Sequence, residues 1–151
     1  MKPSLFIPAL ASHKYVTCSA GRLSGKTTCA YSLALDYFVA LRTDVLYVSR
    51  SALPSQKTVL GTHSLNQVKQ LDPLANWASY GLIVIDDADS YDLESFMIDL
   101  IDVPTKVVFI STPVNNQENS FFYELYARGL SNNHPDYYTV EWEYDANLLQ
   151  A

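Results

Sequence analysis

The sequence is poor in cysteine, glycine and basic residues. Its 151 residues include two cysteines, five glycines and ten lysines and arginines, against sixteen aspartates and glutamates. Cys18 and Cys29 lack the spacing of metal ligands, and two thiols do not make the disulfide framework of a small secreted domain. The acidic excess argues against a free-standing DNA-binding protein, because such proteins neutralise phosphates with lysine and arginine. We expect a reduced, cytoplasmic protein with both thiols buried.

Long apolar runs are also absent. No stretch approaches the roughly eighteen residues needed to cross a bilayer, so no membrane association is expected. Lys2 and the apolar residues 5–11 imitate a signal peptide, but this segment is short and Pro8 interrupts it. The composition, 48% hydrophobic and 17% charged, is that of a globular chain. We therefore expect a single domain over residues 1–151.

Hydrophobic periodicity predicts alternating strands and helices. The predicted strands are Tyr15–Ser19, Val45–Val48, Leu82–Ile85, Lys106–Ser111 and an edge strand over 137–143. The predicted helices are Lys26–Leu41, 64–71, 74–80, 93–101 and 119–127, the last stopped by Gly129, with an irregular loop over 51–61. Strands joined by helical crossovers predict an α/β fold of three layers, α/β/α, with a mostly parallel central sheet and ligands at the carboxyl ends of its strands.

A phosphate-binding P-loop is predicted between the first strand and the first long helix. Its backbone N–H groups would surround a triphosphate, Lys26 would reach the β- and γ-phosphate oxygens, and the Thr27 hydroxyl would bind Mg²⁺. The first glycine of the usual spacing is replaced, although a glycine adjoins it. The predicted nucleotide-binding residues of this loop are Ala20, Gly21, Arg22, Leu23, Ser24, Gly25, Lys26, Thr27 and Thr28. The predicted class is thus a P-loop NTPase of the RecA/ASCE-like type.

Two carboxylates follow the most hydrophobic strand, the arrangement called Walker B. At the tip of a buried strand beside the P-loop, Asp86 would hold Mg²⁺ opposite Thr27. Asp87 would orient and deprotonate the attacking water, although its side chain is shorter than the glutamate that many such ATPases use. The neighbouring Asp89, Asp92 and Glu94 are interpreted as solvated charges and the first turn of a helix.

Two hydroxyl residues, Ser111 and Thr112, follow the strand Lys106–Ser111. At the carboxyl edge of the sheet they could contact the γ-phosphate or the attacking water and so act as a sensor. A Ser-Thr-Pro sequence is also common where a chain merely leaves a strand, so both a sensor and an ordinary strand end stay open.

Charge differs between the two halves of the chain. Residues 1–70 carry a net charge of +6 and residues 71–151 one of −12. If the basic and acidic halves also lie apart in the folded protein, head-to-tail contacts between copies would be attractive, and such contacts can close into a ring.

Three blocks of the sequence resemble the ATPase domain of the large terminase of tailed phages. They are the P-loop with its internal Arg22, the strand ending in Asp86 and Asp87, and the Phe-Ile-Ser-Thr-Pro segment followed by the aromatic helix 121–129. The resemblance covers roughly residues 14–143. It implies an ATP-driven motor subunit that packages double-stranded DNA into a procapsid, with portal or other terminase subunits as partners.

The resemblance also implies residue roles. Arg22 would stabilise charge on the γ-phosphate or couple hydrolysis to motion, and Ser111 and Thr112 would form the coupling segment. Arg50 and Arg128 are candidates for an arginine finger offered to a neighbouring subunit, or else ordinary surface arginines. The sequence contains no nuclease domain of the kind that usually follows in terminases, so no DNA cleavage by this chain is expected.

Three alternatives remain open at this point. A nucleoside kinase of the thymidine-kinase kind would normally have a cysteine-rich zinc element, and a replication ATPase of the AAA+ type would need a helical lid with a sensor arginine. The third is a nucleotide-binding regulatory or assembly subunit that hydrolyses little. Asp87 in place of glutamate, and the missing first glycine, are the features that favour it.

Overall fold

The protein alternates helices and strands in the computed structural model, which describes residues 6–19, 26–50, 58–71, 76–111, 121–131 and 133–141. The α-helices are α1 (Phe6–Ser12), α2 (Lys26–Leu41), α3 (Leu93–Leu100) and α4 (Phe121–Leu130). The strands are β1 (Tyr15–Ser19), β2 (Val45–Val48), β3 (Thr58–Leu60), β4 (His63–Val68), β5 (Leu82–Ile85), β6 (Lys106–Ser111) and β7 (Tyr137–Glu141). Two 3₁₀ turns cover Trp77–Ser79 and Ala88–Ser90.

The described strands form one sheet in the order β3-β4-β2-β5-β6-β1-β7. β3 pairs antiparallel with β4, and every other pairing is parallel. β2 and β5 are buried at every position, as parallel strands covered on both faces must be. The prediction of a mostly parallel α/β sheet is therefore confirmed.

Helices cover both faces of the sheet. One core joins α1 and α2 to side chains such as Val16, Tyr47 and Val84. The other joins α3 and α4 to the alternate strand residues, among them Ile83 and Phe109. Because successive side chains of a strand point to opposite faces, this division creates the three predicted layers.

Two lysines hold the carboxyl ends of helices on opposite faces. Lys106 Nζ donates to the Leu10 carbonyl oxygen at the end of α1. Lys14 Nζ donates to the Leu100 carbonyl oxygen, 2.5 Å away, at the end of α3. A cation at this end of a helix satisfies carbonyl groups that lack a partner in the helix and complements the helix dipole.

Helix α4 lies very close to β7. A Cβ atom added to Gly129 would sit 2.1 Å from Thr139 Oγ1 and 2.6 Å from the Thr139 backbone nitrogen, so only glycine fits. The Thr139 hydroxyl donates to the Tyr126 carbonyl oxygen at 2.7 Å, and it lies 2.8 Å from the Thr17 hydroxyl on β1. Gly129 thus lies inside α4, which continues to Leu130, and the prediction that it stops the helix is wrong.

The helix predicted over 64–71 is wrong, because residues His63–Val68 form a strand. Its leucine and valine recur at a three-residue spacing that imitates a helix, but the segment pairs with β2 on one side and β3 on the other. Asp44 Oδ1 accepts the Ser64 N–H at 2.6 Å and ties the start of this strand to the start of β2.

Smaller differences concern the flanking segments. Thr58–Leu60 is a strand inside the predicted loop, and the described part of the predicted helix 74–80 contains only the 3₁₀ turn Trp77–Ser79. Helix α1, which was not predicted, buries Phe6, Ala9 and Leu10. The predicted edge strand over 137–143 is confirmed as β7 for residues Tyr137–Glu141. Residues 142–143 of that prediction, and residues 119–120 of the predicted last helix, lie outside the described part.

Candidate functional site

Strands β1 and β6 lie side by side, but the chain leaves them toward opposite faces of the sheet. β1 continues into α2 in one core, whereas β6 leads to α4 in the other. Their last residues, Ser19 and Ser111, are paired neighbours. Such a reversal point opens a crevice beyond the carboxyl ends of the strands, which is where open α/β sheets bind ligands.

The residues predicted to form the P-loop follow β1 and precede α2 in the chain. β1 ends at Ser19 and α2 begins at Lys26, so the strand–loop–helix context that such a loop needs is present. Residues 20–25 lie outside the described part, and so do the side chains of Lys26, Thr27 and Thr28. The predicted roles of Arg22, Lys26 and Thr27, and of the other loop residues, stay predictions, as does that of Thr112, which also lies outside.

Asp86 lies at the tip of β5, two strands away from β1. It is fully buried, its N–H donates to the Val48 carbonyl oxygen, and its Oδ1 accepts the Asp87 N–H at 2.9 Å. Asp87 is half-buried and has left-handed backbone angles, φ 52° and ψ 46°. A buried carboxylate and a half-buried one therefore stand in succession at the carboxyl edge of the sheet.

A 3₁₀ turn follows the two carboxylates, and neighbouring elements hold it in place. The Ser90 N–H and hydroxyl donate to the Asp87 carbonyl oxygen at 3.0 and 2.7 Å. Arg50 Nη2 donates to the Ser90 carbonyl oxygen at 3.3 Å. The Tyr91 hydroxyl donates to the Lys69 carbonyl oxygen at 2.9 Å. The ends of β2 and β4 are thus both joined to the turn after β5.

Ser111 contacts an acidic residue of this turn. Its buried hydroxyl donates to Asp89 Oδ1 at 2.6 Å. Asp89, although exposed, is therefore more than the solvated charge that the sequence predicted. The interpretation of Asp92 and Glu94 is confirmed, because Asp92 caps the first turn of α3 by accepting the Ser95 N–H, and Glu94 lies in that turn.

Tyr47 is a second residue of this region that sequence reasoning missed. It is fully buried on β2, next to β5, under the α2 layer. Burial raises the pKa of its hydroxyl, and the negative charge of Asp86 acts in the same direction. The phenol stays protonated near the carboxylates. A tyrosine within an apolar strand is ordinarily interpreted as a core residue, so no sequence signal indicates that Tyr47 lies near the carboxylates.

The two arginine-finger candidates lie at opposite edges of the sheet. Arg128 lies over the rings of Phe121 and Tyr137, at 6.0 and 5.5 Å, and Tyr137 begins β7 at the amino edge. Arg50 is exposed, follows β2 at the carboxyl edge and lies 5.2 Å from the centre of the Tyr91 ring. It also borders a groove of about 340 Å³. Only Arg50 of the two shares an edge with the carboxylates.

The described residues were also compared with the arrangements that metal sites and membrane spans require. Within the described ranges, no group of three or more histidine, cysteine, aspartate or glutamate residues is arranged to hold a metal ion. Nor does any described helix combine the length and apolar character that crossing a bilayer requires. Both thiols are buried and free, as predicted. The chain matches no protein-family model and no curated protein.

Proposed function

We propose that the protein is a P-loop ATPase of the RecA/ASCE-like type that hydrolyses ATP with Mg²⁺. The observation that carries this proposal is the reversal point between β1 and β6, with the P-loop sequence following one strand and Ser111 ending the other. The carboxylates Asp86 and Asp87 end the next strand along the same edge. The two carboxylates and the end of the strand that precedes the predicted P-loop thus lie along the same carboxyl edge, where ligands of such sheets bind.

Each residue has a distinct role in the proposed reaction. Lys26 and the backbone of residues 20–28 hold the phosphates, while Arg22 contributes a second positive charge. Asp86 and Thr27 are suited to Mg²⁺, which prefers oxygen ligands and would neutralise phosphate charge when bound. Asp87 accepts a proton from the attacking water. Its backbone is turned by left-handed angles at the end of β5, and this turn determines where the short side chain points.

The biological role that we propose is that of a terminase-like motor subunit for packaging viral double-stranded DNA into procapsids. It follows from the motif resemblance alone. A head-to-tail ring of such subunits is part of this proposal, since the opposite net charges of the two halves of the chain would attract between copies. In the sheet the two halves are interleaved, because β1 from the basic half lies between β6 and β7 from the acidic half.

A nucleotide-binding regulatory or assembly subunit with little hydrolysis is the second candidate. The features that favour it are Asp87, whose side chain is shorter than the glutamate of many such ATPases, and Ala20 at the first glycine position of the P-loop pattern. In this version the crevice binds nucleotide and the protein reports its presence to partners.

Phosphate release by the purified protein tests the proposal. With Mg²⁺ and ATP we expect turnover that Lys26→Ala abolishes and Asp87→Asn lowers by about 100-fold or more, since a general base contributes about 10²–10⁴-fold. Asp36→Asn, which replaces an exposed carboxylate of α2 by a carboxamide, serves as the matched control and should leave turnover unchanged. Stimulation by double-stranded DNA supports the motor. Binding of ATP without turnover supports the regulatory subunit, and no binding contradicts both.

A further inference from the structure

A side-chain hydrogen bond joins the turn after the two carboxylates to β6. Ser111, the last residue of β6, is completely buried, and its hydroxyl donates to Asp89 Oδ1 at 2.6 Å. A hydroxyl that donates to a carboxylate forms a charge-assisted hydrogen bond, which is shorter and stronger than one between neutral groups. Asp89 is the middle residue of the turn Ala88–Ser90, which begins immediately after Asp87.

Asp87 needs such restraint because its backbone is left-handed. Left-handed angles of φ 52° and ψ 46° carry a steric cost for a residue with a Cβ atom, which aspartate tolerates better than most residues, and hydrogen bonds around the residue favour this conformation. Three bonds surround the residue: its N–H donates to Asp86 Oδ1, and its carbonyl oxygen accepts the Ser90 N–H and hydroxyl. All three come from the same short segment. The bond from Asp89 to Ser111 adds an anchor on another strand, 22 residues away.

That other strand is the one beside the P-loop strand. Ser111 pairs with Ser19, the last described residue before the loop, and β6 lies between β1 and β5. The bond from Ser111 to Asp89 therefore links the carboxyl ends of β1 and β6 to the turn that follows Asp87, beside the attachments of this segment to Arg50 and Lys69 and the pairing of β5 with β6.

We propose that Asp89 is a positioning residue for ATP hydrolysis, which holds Asp87 in its working orientation by anchoring the turn 88–90 to Ser111. This inference rests on the proposed function, because it assigns Asp89 to the reaction in which Asp87 accepts the proton. Asp89 does not touch the reacting atoms in this role. Its effect is on kcat, since misplacing a catalytic group by about 1 Å can cost about 100-fold in rate.

The test compares Asp89→Ala, Asp89→Asn and Ser111→Ala in steady-state hydrolysis of ATP and in binding of Mg²⁺-ATP. Asp89→Ala should lower kcat by about 10- to 100-fold with KM and nucleotide affinity within about twofold of wild type. Asp89→Asn, whose amide oxygen still accepts the Ser111 hydroxyl, should recover most of kcat. In the double variant Asp89→Ala with Ser111→Ala, the losses should not add, since both changes remove the same bond.

Asp36→Ala, which removes an exposed carboxylate of α2, is the matched control and should keep the wild-type kcat. Melting temperatures verify that each variant is folded, and Ser111→Ala tests the same bond if Asp89→Ala fails to fold. An active wild type with an unchanged kcat in Asp89→Ala overturns the positioning role alone. Additive losses, or no recovery in Asp89→Asn, also overturn it. A wild type without turnover overturns the proposed hydrolysis, and the positioning role with it.

Discussion

Thr17 Oγ1 and Thr139 Oγ1 lie 2.8 Å apart on neighbouring strands, and both residues are buried. The Thr139 hydroxyl donates onward to the Tyr126 carbonyl oxygen of α4, so its oxygen accepts the hydrogen bond from the Thr17 hydroxyl. This chain of two hydrogen bonds joins β1, β7 and α4 at the point where the helix comes nearest to the sheet.

Replacing Thr139 by valine should destabilise the fold by about 1–3 kcal/mol, because the Thr17 hydroxyl would be left buried without its acceptor. The free energy of unfolding in urea measures this loss. Thr62→Val, at an exposed position in the turn between β3 and β4, is the matched control and should stay within about 0.5 kcal/mol of wild type. A loss of equal size in both variants would contradict the assigned hydrogen bonds.

Gly129→Ala should be more damaging than an ordinary glycine substitution. The added methyl group would lie 2.1 Å from Thr139 Oγ1, so α4 must move away from β7, and overpacking of this kind costs about 1–3 kcal/mol or more. Gly61→Ala offers the contrast: its φ of 64° is strained for alanine, but nothing lies within 4 Å of the added atom. We expect Gly61→Ala to lower the melting temperature only slightly and Gly129→Ala to lower it several-fold more. The reverse order would show that the close approach is not limiting.

Stability should fall in alkaline solution because the buried thiols resist ionisation. Burial raises the pKa of Cys18 to about 12 and that of Cys29 to about 11, from an ordinary value of 9.0. The folded thiols keep protons that the unfolded chain releases, so this contribution is complete below pH 9 and is lost as the pH rises toward the folded values. Each group adds a slope of at most about 1.4 kcal/mol per pH unit.

Urea unfolding between pH 7 and 11 measures that slope. Cys18→Ala lowers stability at every pH, but its stability should fall less steeply above pH 9 than that of the wild type. Parallel pH profiles for the two proteins would mean that Cys18 ionises equally well in the folded and unfolded chains.

Replacing the two arginine-finger candidates should affect the rate of phosphate release to different extents. Arg50 shares the carboxyl edge with Asp86 and Asp87, and it contacts the turn through Ser90, so Arg50→Ala should lower phosphate release by at least about tenfold. Arg128 lies over Tyr137 at the amino edge, so Arg128→Ala should cost about 1 kcal/mol of stability and leave turnover within about twofold. A strong loss of turnover in Arg128→Ala, but not in Arg50→Ala, would assign the contact between subunits to the opposite edge.

The elements that were located best from the sequence are those in which every, or almost every, successive residue is buried. β2, β5 and β6 are apolar runs because they are covered on both faces, and α2 has the spacing of a helix with one buried side. For β4 the same reasoning failed. Of its described residues Leu65 alone is buried, and its strand conformation depends on pairing with β2 and on Asp44, twenty residues earlier.

Some residues of the candidate site were likewise recognisable from the sequence, and others were not. Asp86 and Asp87 were recognisable because they directly follow a buried strand. Asp89 was not, because its partner Ser111 is distant in sequence and the two meet only once β5 and β6 are paired. The left-handed angles of Asp87 likewise arise from the turn that surrounds it, since aspartate by itself has no strong need for them.

The position of β1 in the sheet has a consequence for folding order. Its two partners, β6 and β7, lie roughly ninety and one hundred and twenty residues further along the chain. During synthesis, residues 15–19 must wait for almost all the other described elements before either side of this strand can be paired, and closing such long loops is slow. The paired carboxyl ends of β1 and β6, where we propose that nucleotide binds, are accordingly among the last features to form, and a chain truncated before β6 would lack them.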